Sequence, residues 1–91
     1  MKIPRKLKIL GHIYTVKQVI GGELDDAMGE TIPVLGLIRI RKDAVQSQKE
    51  QSLFHEIFHA INWELSEKDV EFLAQTLYAV LKENKLLRGK D

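Results

Sequence analysis

The pattern of apolar and polar positions changes near residue 45. Before it, β-branched residues and glycines dominate. After it, apolar residues recur at helical spacing. Lys6 to Leu10 and Ile13 to Val19 read as two strands about a turn at Gly11-His12, with Ile13, Val16 and Val19 as strand formers. Gly21-Gly22 interrupts, and Glu23 to Gly29 reads as a polar connection with at most one helical turn. A second strand pair is expected at Glu30 to Ile32 and Leu37 to Arg41, joined by Pro33-Val34-Leu35-Gly36. In the latter strand Ile38 and Ile40 share one face and Arg39 and Arg41 the other, the alternation of a half-buried strand.

A helix is expected over residues 47–64. Ser47 and Glu50 have capping-box spacing, and Phe54, Ile57, Phe58, Ile61 and Leu65 repeat with helical period. Ser66 reads as the N-cap of a second helix over 66–84, with Glu67 and Asp69 in its first turn, where negative charge is favoured. Its apolar stripe is Val70, Leu73, Ala74, Leu77, Val80 and Leu81. Residues 85–91 read as a frayed tail. The expected fold is therefore α+β in one domain over residues 1–91. A small antiparallel or mixed sheet of about four strands packs on one helix, and a second, antiparallel helix follows it.

Composition narrows the chemistry. The chain has 91 residues and a thin core, so a bound metal would help stabilise it. With no cysteine, a metal site must be built from His, Asp and Glu, and disulfides and thiol nucleophiles are excluded. A net charge of +1 gives no electrostatic case for nucleic acid as the main partner. The basic residues Lys2, Arg5, Lys6 and Lys8 suit a solvated strand face, and Lys82, Lys85, Arg88 and Lys90 suit the C-terminal end of a helix. No apolar run approaches the ~18 residues that cross a bilayer, and no signal-type stretch follows the basic start, so a cytoplasmic location is expected.

The chemistry centres on His55-Glu56-Ile57-Phe58-His59. Histidines four apart project from one helix face and reach a single ion. Glu56 stands about 100° further round, beside the ion rather than among its ligands. Two His ligands and a carboxylate that takes a proton from metal-bound water are the zincin arrangement, in which zinc lowers the pKa of water to roughly 7. A string of this form arises by chance in about a few per thousand chains of this length. Its place in an apolar, capped helix argues against a merely solvent-facing pair.

A catalytic zinc site needs a third protein ligand and an open position. Candidates on the following segment are Glu64, Glu67, Asp69 and Glu71. If the helices are antiparallel and the turn centres on Leu65, His59 faces Glu71. Glu67 then lies about 6 Å nearer the turn. Glu71 is the expected ligand and Glu67 the alternative. Gln75 and Tyr78 share the face of Glu71. Gln75 could hydrogen-bond a ligand, and Tyr78 could wall the pocket or donate to an oxyanion. His12 reads as an exposed turn residue and Trp63 as core or interface.

The stretches His55–Leu65 (HEIFHAINWEL) and Glu71–Leu81 (EFLAQTLYAVL) resemble the gluzincin-like ImmA/IrrE-type metallopeptidases. The likeness is to small phage and prophage forms that occur as a lone catalytic domain, and it spans residues 36 to 84. The family's second helix carries a Glu-x-x-Ala-Asn/Asp-x-Phe-Ala pattern. Glu71 and Ala74 match it, whereas Gln75, Leu77 and Tyr78 depart from it. The resemblance implies a zincin-like fold, a Zn2+ cofactor held by His55, His59 and Glu71, and cleavage of a peptide or protein, a regulatory protein being one candidate. It also implies that an edge strand, here Leu37 to Arg41, holds an extended substrate. The competing expectations are a zinc-stabilised binding module without turnover, which has no need of Glu56, and a DNA-associated protease-like domain, which the near-neutral charge opposes.

Overall fold

A computed structural model describes residues 1–87. The expected tail at 88–91, with Arg88 and Lys90 of the basic C-terminal stretch, lies outside the described residues. The chain is α+β. Strands β1 (Lys6–Ile9), β2 (His12–Val19), β3 (Gly29–Ile32) and β4 (Leu37–Arg41) form one mixed sheet, in the order β1-β2-β4-β3. Helices α1 (Gln46–Ile61) and α2 (Glu67–Glu83) follow. No helix among the described residues is long and apolar enough to cross a membrane.

The β1–β2 hairpin turns at Leu10-Gly11 rather than Gly11-His12, because both turn residues take positive φ and His12 opens β2 as an exposed residue. After β2 the chain passes through a short 3-10 turn (Gly21–Leu24), crosses over and returns as β3. A second 3-10 turn (Pro33–Leu35) then reverses it into β4. Gly36 holds φ +57, and a Cβ there would meet the Ile13 carbonyl oxygen at 2.9 Å. Glycine is therefore required where this turn crosses β2.

β4 lies between two partners. It pairs in parallel with β2 (Val16 opposite Ile38) and antiparallel with β3 (Thr31 opposite Ile38). The expectation that Leu37 to Arg41 is an edge strand free to take a substrate is therefore corrected. Both of its hydrogen-bonding edges are used, and β3 is the edge strand on that side. The alternation within β4 is as expected, with Ile38 and Ile40 fully buried.

The core lies between sheet and α1, where Ile9, Tyr14, Val16, Ile38 and Ile40 meet Leu53. α2 packs on α1, so α1 is covered on two sides. That burial overturns the expected capping box. α1 begins at Gln46 with no side-chain cap, and Glu50 points inward. The Glu50 carboxylate receives the Met1 amine at 2.9 Å, Gln46 Nε2 at 3.1 Å and the Tyr78 hydroxyl at 2.8 Å. A buried carboxylate needs such donors, and three of them outweigh one backbone amide at the helix end. Ser66 does cap α2, its Oγ accepting from the Asp69 amide at 3.1 Å. The buried line of α2 is Val70, Ala74 and Tyr78, narrower than the expected stripe, because Leu73, Leu77 and Val80 remain partly exposed. α2 does not fray directly at residue 85. Lys85 takes φ 59, its amide bonds to the Lys82 carbonyl, and the Leu86 amide bonds to the Leu81 carbonyl, which is a Schellman termination.

Candidate metal centre

His55 and His59 stand one turn apart on α1 with ring centroids 4.9 Å apart, edge to face. The turn after α1 decides what meets them. Asn62 Oδ1 accepts from the Glu64 amide at 3.0 Å and the Asn62 carbonyl from the Leu65 amide at 3.2 Å. The chain thereby reverses tightly into the Ser66 cap. Glu67, the first residue of α2, then leans over the histidine pair. Its Oε1 lies 3.5 Å from His55 Nε2 and in direct contact with His59 Nε2.

Glu71 lies one helical turn further on and meets a different atom. Its Oε2 is 3.4 Å from His55 Nδ1, on the far side of that ring. The register explains the difference from expectation. His59 faces Glu67 and His55 faces Glu71, so the turn centres on Trp63, about two residues earlier than the assumed Leu65. Gln75 extends the chain of contacts by donating from Nε2 to Glu71 Oε1. Tyr78 stands apart from this cluster, buried, with its hydroxyl committed to Glu50.

One ligand atom each from His55, His59 and Glu67 falls within 4.8 Å of the others. Tetrahedral zinc with bonds of about 2.0–2.1 Å sets its ligands roughly 3.3 Å apart. The His55–Glu67 separation already approaches that value, and side-chain rotation closes the rest. The donor set, two imidazoles and a carboxylate, is also one that zinc takes in hydrolytic sites. These residues fit the ion.

Glu56, beside the pair, turns toward β3 and is only 5% exposed. Thr31 on β3 holds it, its hydroxyl placed for donation to Glu56 Oε1 at 2.8 Å and 3.1 Å from the Glu56 carbonyl. Burial pushes the Glu56 carboxyl up to about 7, against the pull of the Thr31 bond and of His59, while Glu67 and Glu30 add to the rise. A carboxylate poised there exchanges a proton readily near neutrality. Gly29 makes room for it. A Cβ at that position would stand 3.2 Å from Glu56 Oε2 and 3.0 Å from the Arg39 carbonyl.

Two hollows flank the cluster and share Gly29, His55, Glu56 and Glu67. One, of about 240 Å³, is walled by Gln48, Gln51, Ser52 and Met28. The other, of about 430 Å³, is walled by Glu30, Thr31, His59 and Trp63. Residues of β3 line both, Gly29 in the first and Gly29, Glu30 and Thr31 in the second.

Thr31, Gly29 and Trp63 were not legible as site residues. Thr31 carried a faint signal, since a threonine on the inward face of a strand needs a buried partner. Trp63, expected in the core or an interface, is 63% exposed, with its ring centroid 5.8 Å from that of His59. No protein-family model matches the chain, and neither a curated protein nor a solved structure matches it.

Proposed function

We propose that this chain is a zinc-dependent endopeptidase with a zincin-like arrangement, of the kind its resemblance to the ImmA/IrrE-type peptidases suggests, acting on peptides or proteins in the cytosol. The observation that carries the reading is a division of labour around one point. His55, His59 and Glu67 converge, and the buried, Thr31-held Glu56 lines the same hollow as they do.

In this reading His55, His59 and Glu67 hold the ion. Glu71 replaces no ligand. It faces the remaining nitrogen of His55, where it fixes the ring orientation and raises the basicity of the coordinating nitrogen. Zinc bound there supplies Lewis acidity to a peptide carbonyl and acidity to a water molecule. Glu56 takes the proton as the water oxygen attacks the carbonyl carbon, and returns it to the amide nitrogen as the C–N bond breaks. The free edge of β3 offers backbone groups to an extended substrate, which would lie along both hollows.

The two acidic residues separate cleanly. Glu67→Gln is expected to weaken zinc binding by more than about 100-fold, and Glu71→Gln by about 10–100-fold. Competition against a chromophoric chelator measures both, and a larger loss at Glu71 would exchange their roles. Hydrolysis is tested by digesting a random peptide mixture with zinc-loaded and chelator-treated protein. Cleavage that needs zinc and disappears in Glu56→Gln supports the peptidase. Zinc binding with wild type and Glu56→Gln equally inert leaves instead a zinc-stabilised binding module.

A further inference from the structure

We infer that Trp63 is the floor of a side-chain subsite that selects a large apolar residue, aromatic above all, flanking the cleaved bond. The inference rests on the peptidase reading. Among the side chains walling the 430 Å³ hollow, Trp63 alone is apolar. About 150 Å³ is enough to hold a benzene ring. Among the described residues the ring has one aromatic neighbour, His59, and it is 63% exposed. The tight turn at Asn62 fixes the backbone that carries it, so little main-chain ordering is needed on contact.

The charges around it favour an apolar guest over a cationic one. Glu30 is already paired with Arg39, and Glu67 with the histidines. Glu56 is turned toward Thr31. A lysine or arginine side chain entering the hollow would find these carboxylates engaged, whereas an aromatic side chain would cover the exposed Trp63 face. The opposite hollow has Gln48, Gln51 and Ser52 on its wall, so the two flanks of the substrate meet different chemistry.

Three zinc-chelating probes test this on the zinc-loaded full chain: L-phenylalanine, L-arginine and glycine hydroxamates. Trp63 is the single tryptophan, so its fluorescence reports occupancy directly in the wild type, and calorimetry gives affinity in the variants. The phenylalanine compound is expected to bind about tenfold more tightly than the glycine compound. It should shift Trp63 emission, which the glycine compound should not. The preference should fall to within about threefold in Trp63→Ala and survive largely in Trp63→Phe. The three proteins should share the same zinc-dependent Tm, since the exposed ring carries little of the core. Equal preference in all three proteins, or tightest binding of the arginine compound, overturns the subsite while leaving the peptidase reading intact. Failure of all three compounds to bind removes the open zinc position and with it both conclusions.

Discussion

Replacing Glu56 by glutamine should raise the stability of the metal-free protein while removing its activity. Glu56 is buried and its carboxyl is pushed from 4.5 up to about 7. The folded state therefore holds a proton that the unfolded state has already released. Below about pH 4.5 both states are protonated and nothing is lost. As pH rises from there toward 7, folding must either retain that proton or bury a charge, and stability declines. Above about 7 the loss is complete. The full rise corresponds to about 3 kcal/mol. A glutamine side chain in its place carries no charge and can still accept from Thr31. At pH 8 with chelator, the variant should melt about 10–20 °C above wild type, and the two curves should converge near pH 4. Activity should move the opposite way, down about 10³-fold with zinc present, because a general base contributes about 10²–10⁴. Calorimetry across pH 4–8, beside peptide digestion, checks both halves. An unchanged apo Tm at pH 8 would show that the carboxylate is solvated.

Zinc itself should stabilise this domain strongly. A ligand at about a thousand times its Kd adds about 4 kcal/mol to a folded state that alone binds it. For a chain of this size that raises Tm by about 15–30 °C, a shift that chelator reverses. His59→Ala should abolish most of it. His59 supplies one of three donors, and the two that remain leave the ion largely held by water. Affinity should also fall in acid, because imidazole and carboxylate ligands bind metal only after losing their protons. Thermal melts with and without zinc, in wild type and His59→Ala, give the comparison. A wild-type Tm indifferent to zinc would remove the metal centre and everything built on it.

Local geometry made some features legible from the residues alone. A helix has a fixed period, so two histidines four apart share a face wherever that helix packs. Glu56 is turned off that face by the same rule. The Ser66 cap, the alternation of β4 and the two-helix plan also follow from short-range spacing, and the structure shows each of them.

Contacts between distant segments decided the rest. Which carboxylate reaches the histidines depends on where the chain reverses. That was set by the Asn62 turn and by Val70, Ala74 and Tyr78 seating on α1, so Glu67 came over the pair and Glu71 went behind His55. The capping box failed because the buried Glu50 found three donors, two of them from remote parts of the chain. β4 became a central strand because β2 pairs with it in parallel. Thr31 became the anchor of Glu56 only once β3 lay against α1. By itself the sequence determined the two helices, the strand alternation and the common face of His55 and His59, since spacing along one element needs no knowledge of its neighbours. The tertiary structure alone decided the third acidic group, the free sheet edge and the surroundings of Glu56, since each depends on a register between elements that no local pattern encodes.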